Sequence, residues 1–359
     1  MDGFYHRLHT YVKTIENESF IFRVENARNI RMTVVNPVTA QVDWGDGVIM
    51  NYVNALNIEH SYKAYGNYTI TFLSFKSGVF KFIDITELTE IMTPLPRMET
   101  DDYSQGFSGC VNLRLIPYGL FGGNHSISNM EGLFEDCTSL RHIPKGIFRG
   151  LISLNNVKRT FAGSGISEID GDIFEDAVSL TDLYETFAGC VNLVKIPSRL
   201  IYKNVSLEAL TGTFSCCSSI KLVPSMLMSL PKLFNGIESG IGGTIKSFER
   251  TFENCLSLDA VGGDIFGIIN DTFYNDSFTY KSMFKGCVNL RSVQFAVESQ
   301  LFVPLGNTGT NFESMFGNCL SLKGAAPDQM WLSTGTNGTN CFAGCNNLSN
   351  YADIPNEWR

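Results

Sequence analysis

The heptapeptide FSGCVNL at residues 107–113 returns down the chain as FEDCTSL from Phe134, FAGCVNL from Phe187, FSCCSSI from Phe214 and FENCLSL from Phe252. It continues as FKGCVNL from Phe284, FGNCLSL from Phe316 and FAGCNNL from Phe342. A ninth copy, FAGSGIS from Phe161, carries Ser164 where the others carry cysteine and is one residue short. The unit is Phe-x-x-Cys-x-x-Leu, and successive phenylalanines stand 27, 27, 26, 27, 38, 32, 32 and 26 residues apart. Self-similarity at such a period marks a stacked array, in which one unit cannot cover its own apolar side and neighbours must do so.

Further into the unit the chain repeatedly reads Ile-Pro or its relative: Ile116-Pro117, Ile143-Pro144, Ile196-Pro197 and Val223-Pro224. Apolar pairs follow at Leu120-Phe121, Ile147-Phe148, Ile173-Phe174 and Ile265-Phe266. Phe, Cys and Leu at relative positions 1, 4 and 7 are expected on one face of a short helical turn. The segment before proline is pushed out of the α region and so straightens. Each coil is therefore predicted to be a short helix, a short extended segment and a turn. At a strand spacing of about 4.8 Å, about nine such coils extend roughly 40 Å.

The chain has ten cysteines. A thiol placed once per coil at a buried position acts as a small hydrophobe, so packing is expected of these residues and not pairing or metal binding. Ser164 in the same slot fits that reading. There is no Cys-x-x-Cys, and Cys341 and Cys345 lack a second ligand pair nearby. Reduced thiols suit a protein made in a cytoplasm. Cys216 and Cys341 fall outside the pattern and are candidates for exposure.

Residues 19–78 have another texture. TAQVDW at residues 39–44 alternates and runs into Gly45-Asp46-Gly47, a hairpin-turn signal. HSY at residues 60–62 precedes GNYTITF at residues 66–72, where Tyr68, Ile70 and Phe72 share one strand face. A small antiparallel β domain is expected, with Asp43 and Asp46 serving turn chemistry before metal binding and His60 capping or packing. VDWGDG and HSYKAYGNYTITF together resemble the PKD (polycystic kidney disease) family of immunoglobulin-like sandwiches. The recurring Phe-x-x-Cys-x-x-Leu-x-x-Ile-Pro is similar to the BspA-type leucine-rich repeat proteins, whose 20–29-residue period lies near the spacings here. Together the two resemblances cover about residues 19–359. They imply a mixed α/β chain: an N-terminal segment (1–18), a PKD-like β-sandwich (19–78) and a leucine-rich-repeat-type solenoid of about nine coils (79–359). They also imply adhesion at bacterial surfaces or a place among bacteriophage virion proteins.

A net charge of −9 disfavours nucleic acid, which selects a basic footprint, and scattered Lys and Arg offer no run for a phosphate backbone. No stretch approaches the ~20 apolar residues of a membrane-spanning helix. The opening MDGFYHRLHTYVKTIENESF lacks the apolar core of a secretory signal, which favours a virion protein assembled in the host cytoplasm over a bacterial surface adhesin. No nucleophile elbow, phosphate loop or His-Glu-x-x-His is present, and the five histidines recur with no acid or nucleophile. The expected function is non-enzymatic binding without cofactor or metal, with other virion proteins or a host protein or glycan as partner. The interval after Phe214 carries about eleven extra residues and the next two about five each, all late in the unit and so expected on one side. Their aromatic and apolar residues, Phe234, Ile237, Phe273, Tyr274, Tyr280 and Phe302, together with Trp331 beside the STGTNGTN loop, are the candidate contact residues.

Overall fold

In each repeat the Phe-x-x-Cys-x-x-Leu segment folds as consecutive turns whose backbone bonds run in two directions. Alternate N–H groups leave the coil: Gln105, Phe107 and Gly109 donate to the carbonyls of Glu131, Leu133 and Glu135 in the next coil at 2.7–2.9 Å. The intervening groups turn back, Cys110 donating to Phe107 O (3.2 Å) and Leu113 to Cys110 O (3.0 Å). The computed structural model describes residues 19–171, 173–201, 203–204, 206–224, 245–261, 278–293, 309–332 and 335–359.

This pattern corrects the expected short helices, and with them the mixed α/β class. The described residues are nearly all strand, turn and coil; the helices among them are α1 (Gln329–Leu332) and two 3₁₀ turns, Tyr351–Asp353 and Asn356–Trp358. An α-helix commits every N–H to its own axis, whereas here half of them bind the neighbouring coil. Reaching that neighbour requires positive φ two residues before each phenylalanine, as at Gln105 (55°), Arg159 (54°) and Glu185 (49°), and again two residues after it, as at Gly109 (72°) and Asp136 (58°). Asn and Asp open the turn by accepting an N–H two residues on: Asp102 from Ser104 (2.8 Å), Asn129 from Glu131 (3.1 Å), Asn156 from Lys158 (3.0 Å).

Three side-chain columns follow. The phenylalanine rings stack nearly parallel from Phe107 to Phe342, with centroids 5.2 Å apart for Phe107–Phe134 and 5.6 Å for Phe284–Phe316. The thiols point to the carbonyl of the phenylalanine one coil earlier: Cys137 to Phe107 O (3.1 Å), Cys217 to Phe187 O (3.0 Å), Cys345 to Phe316 O (3.0 Å). Ser164 instead donates within its own coil, to Phe161 O (2.7 Å). In the third column, two residues past each phenylalanine, Asx and Gly mostly alternate. Asp136 leans over Gly163, where an added Cβ would lie 2.2 Å from its Oδ1, and Asn254 does the same to Gly286. Of the two cysteines outside the repeat pattern, Cys216 is exposed and Cys341 is buried. Cys341 directly precedes its phenylalanine, a slot that the buried Thr186, Thr213 and Thr251 fill in other coils.

The stack begins one unit before the cysteine pattern. Phe82-x-x-Ile85-x-x-Leu88 is the same turn with isoleucine in the thiol slot: Phe82 N–H donates to Gly106 O (2.7 Å), and Cys110 Sγ reaches Phe82 O (2.9 Å). Phe82 also joins the N-terminal sheet, its ring 5.1 Å from Phe22 and 5.3 Å from Phe107. That sheet is antiparallel, with β1 (Phe20–Asp43) between β2 (Ile49–Ala55) and β3 (Ile58–Lys81), and with β4 (Leu88–Ile91) also on β1. Phe72 of β3 opposes both Phe20 and Val42, so the two ends of the long β1 flank one stretch of β3 and the sheet curls around Phe20, Phe22, Trp44 and Phe72. Short parallel pairs mark the straight segments of the coils: β5 (His142–Ile143) with β6 (Glu168–Ile169), and β7 (Leu222–Val223) with β8 (Ala260–Val261) and β9 (Ser292–Val293). At the far end Trp358 covers Gly338, and its carbonyl accepts the Phe342 N–H (2.7 Å).

Two predictions follow from these columns. Gly163→Ala and Gly189→Ala impose the same positive φ, but the nearest neighbours of the new Cβ are 2.2 Å away at Gly163 and 3.6 Å at Gly189. Denaturant unfolding should show a loss of about 1 kcal/mol for Gly189→Ala and about 3 kcal/mol or more for Gly163→Ala; equal losses would remove the Asx–Gly contact from the account. Burial pushes the thiols of Cys110, Cys190, Cys287 and Cys345 up to about 12. The folded chain then holds protons that the unfolded chain releases above about pH 9, so stability present below that pH falls between pH 9 and 12, by about 1.4 kcal/mol per pH unit per thiol. Unfolding midpoints measured at pH 7.5, 9 and 10 should drop steeply over the last step, and a flat profile would contradict buried thiol donors.

Candidate binding surfaces

The three enlarged intervals start side by side. β7, β8 and β9 are parallel neighbours, Leu222 opposite Ala260 and Ala260 opposite Ser292. The chain therefore leaves each strand from the same edge of the array. Phe234, Ile237, Phe273, Tyr274 and Phe302 lie outside the described residues.

Tyr280 is a core residue and not a surface one. It stands four residues before its repeat phenylalanine, in a column with Phe248 and Phe312, whose rings flank it at 5.3 and 5.4 Å. Its side chain is buried, and burial pushes its phenol well above the usual range. The fixed offset from the repeat phenylalanine, shared with Tyr103, was the sequence signal for this placement. Trp331, on α1, is half-buried, edge-on to Phe342 at 6.4 Å and to Trp358 at 6.2 Å, while the adjoining Leu332 is exposed.

A line of charge crosses the turns. Arg159, at a positive-φ position, donates to Glu135 (2.5 Å) and to Glu185, and Arg250 stands 3.7 Å from the other oxygen of Glu185 and donates to Glu253 (2.6 Å). These partners raise the Arg159 and Arg250 guanidinium groups further above their usual range. The acids and bases satisfy one another from coil to coil, so this face acts as a brace.

A shallow cleft of about 310 Å³ opens on the Ile-Pro side of the early coils, lined by Tyr118, Lys145, Gly146, Arg149, Ile173, Glu175 and Asp176. Three successive coils supply it. Arg149 Nη1 donates to the Tyr118 hydroxyl (2.7 Å), Asp176 Oδ2 accepts the Gly150 N–H (2.8 Å), and Glu175 pairs with Lys203. The Tyr118 ring lies against Gly146, where a Cβ would come within 2.9 Å of it. None of these residues lies in an enlarged interval, so no aromatic insertion marks the region in the sequence.

In the N-terminal sheet the Asp-Gly turn is held by its own side chains. Asp43 Oδ1 accepts the Gly45 N–H (2.9 Å), and Asp46 Oδ1 accepts the Val48 N–H (3.1 Å). His60 Nε2 meets Asp46 Oδ2 at 2.9 Å, and its ring stacks on Trp44 at 5.0 Å. Burial pushes the Asp46 carboxyl up, but the His60 and Val48 hydrogen bonds outweigh it and leave the group below its ordinary value. Among the described residues no cluster of three or more His, Cys, Asp or Glu is placed to hold a metal ion, and no helix is long and apolar enough to cross a membrane. Ile49 and Val53 of β2, and Leu56 just past its end, are exposed at the outer edge of the sheet.

No protein-family model matches the chain, and no curated protein matches it. Among solved structures it is similar to a leucine-rich repeat protein from Eubacterium ventriosum ATCC 27560, with 14% identity, a TM-score of 0.25 and coverage of 89% of this chain and 95% of that one. It is also similar to a leucine-rich cell surface protein from Faecalibacterium prausnitzii A2-165, with 14% identity, a TM-score of 0.18 and coverage of 73% and 78%. A third similarity is to the TLR13–ssRNA13 complex, with 13% identity and a TM-score of 0.22, where 70% of this chain spans 43% of the other. With TM-scores this low none of the three bears on function, and the architecture, a repeat solenoid led by an antiparallel sheet, rests on the stacked turns themselves.

Proposed function

We propose that this chain is a non-catalytic binding protein displayed on a surface, that of a bacteriophage virion, with the repeat array as its recognition element and the N-terminal PKD-like sheet as its attachment unit. The observation that carries the reading is the shared edge from which the enlarged intervals leave β7, β8 and β9. Extra length inserted at one recurring point of an otherwise uniform repeat is where repeat proteins place their partner contacts. Phe234, Ile237, Phe273, Tyr274 and Phe302, whose positions fall in those intervals, and Trp331 are the proposed contact residues, with a host protein or glycan as the partner. Exposed Val53 and Leu56 beside the outer strand β2 give the attachment unit an apolar surface for the protein that carries it.

Mass spectrometry of purified particles tests the location, and recovery from the envelope of uninfected bacteria instead would replace the virion with a bacterial surface adhesin. Val53→Glu with Leu56→Lys should lower incorporation into particles at least tenfold while the unfolding midpoint stays unchanged. Shortening residues 225–244 to the length of a regular coil should leave the array folded and abolish attachment to host cells. Full attachment by the shortened chain would remove recognition from that edge.

A further inference from the structure

We propose that the outer edge of β2 is a self-association site, at which two copies of this chain pair antiparallel about Asn51 and join their N-terminal sheets. The inference goes beyond the surface-binding reading, because it concerns the backbone of a strand from which that reading uses one side chain, Val53. β2 pairs with β1 on one side, and among the described residues no strand pairs with its other side. Bonded and non-bonded pairs alternate along an antiparallel ladder. Trp44 N–H donates to Val48 O (3.0 Å), so Val42–Met50 and Ala40–Tyr52 are the bonded pairs. The N–H and C=O groups of Ile49 and Asn51 therefore point away from β1. Asn54 N–H turns back to Thr39 Oγ1 of β1 (3.1 Å), which leaves Val53 facing outward with Ile49 and Asn51.

Nothing in the sequence blunts this edge. Solitary edge strands are ordinarily protected by charged side chains or proline, and β3, at the other end of the same sheet, carries Glu59, Lys63 and Lys76. From Val48 to Ile58 there is no charged residue and no proline. Val53, 74% exposed, and Leu56 are the most exposed large apolar side chains among the described residues. Such an edge gives an ionic partner no counter-charge, and its chemistry is symmetric about its centre. Met50 and Tyr52, opposite the buried Val42 and Ala40, share the inner face, and Ile49, Asn51 and Val53 share the outer one. A two-fold axis at Asn51 sets Ile49 against Val53 of the other copy and Met50 against its Tyr52, aliphatic on aliphatic and thioether on ring. Gln41 Nε2 donates to Asn51 Oδ1 (2.9 Å), which leaves the Asn51 amide N–H groups for the asparagine across the axis. About six backbone hydrogen bonds close the pair. Net charge does not oppose it: residues 20–81 carry six cations and four acids, so the negative charge of the chain lies outside this sheet. Seven residues of strand make a contact about 23 Å long and about 10 Å deep, which buries on the order of 500 Å² over both copies. That is less than the roughly 1,200 Å² of a permanent interface, so the pair is weak in dilute solution and forms where chains are held close together on a surface.

The test uses the full chain. Sedimentation velocity from about 5 µM to about 500 µM should show monomers converting to dimers, with half conversion on the order of 100 µM. Over the same range, hydrogen exchange at the Ile49, Asn51 and Val53 amides should slow with concentration, while the Met50 and Tyr52 amides, bonded to β1, stay protected throughout. Asn51→Lys and Asn51→Asp each set like charges across the axis and should weaken dimerisation about tenfold. An equimolar mixture of the two variants should restore it as a mixed dimer. Asn51 is exposed, so the unfolding midpoints of both should match the native one. Asn51→Pro removes an outward N–H, leaves the β1 ladder intact and should also give a monomer. A native chain that stays monomeric at the top of the range, edge amides whose exchange ignores concentration, or variants that dimerise as the native chain does would each overturn the proposal. Protection of the edge only in assembled particles assigns it to a foreign strand and overturns self-pairing as well. Incorporation of the Asn51→Lys chain, which keeps Val53 and Leu56, separates the two readings. Incorporation with no dimer of the native chain removes the pairing and leaves the attachment. A dimer without recovery of any chain in particles removes the attachment and leaves the pairing.

Discussion

Everything above the level of the single coil depends on one constraint: every second N–H of the turn segment must reach a carbonyl of the next coil. Backbone donors buried without partners cost free energy that a domain of ordinary stability does not have to spare. The alternating pattern gives these donors partners, outward and back in turn, but only if the chain visits positive φ twice in each repeat. Glycine and Asx residues answer that need two positions past every repeat phenylalanine but Phe214, where Cys216 takes a φ of 61°. Arg159, Glu185 and Arg250 meet it with large side chains, which then find one another in the charged line across the turns. Once backbone register is set, identical positions fall one above another. Rings stack on rings, and thiols meet carbonyls.

Those columns explain why the phenylalanine and cysteine positions were legible. Both are buried in every described repeat, and Ser164 keeps the slot with a hydroxyl that finds a carbonyl nearby. The element type was misread for a specific reason. Spacings of three and then three again resemble one face of a helix, yet on a helix of 3.6 residues per turn the seventh residue drifts well round from the first. Strict threes belong to a tighter turn, and the Gly, Asp and Asn recurring two residues after phenylalanine were the accompanying sign of positive φ. The first unit escaped because Ile85 replaces its cysteine, so a pattern keyed on sulfur started too late.

The binding surfaces were less legible because a repeat hides its exceptions. Tyr280 looked like an aromatic residue in an insertion, but counting back from Phe284 places it in the column of Phe248 and Phe312, and its burial follows. The cleft at Tyr118 is the opposite case: nothing large was inserted, and its walls come from three successive coils, Tyr118 from one, Lys145 and Arg149 from the next, Glu175 and Asp176 from the third. Such a grouping is visible only once the coils are stacked.

The ring spacing barely responds to how much chain lies between the rings. Phe187 and Phe214, 27 residues apart, stack at 5.5 Å, and Phe214 and Phe252, 38 residues apart, stack at 5.6 Å. Register is therefore set locally by the turn segment and is blind to the length of what departs from it. A scaffold built this way separates inheritance of the frame from variation of its cargo: connections on the outgoing edge can be lengthened, recombined or grafted without renegotiating a single core contact.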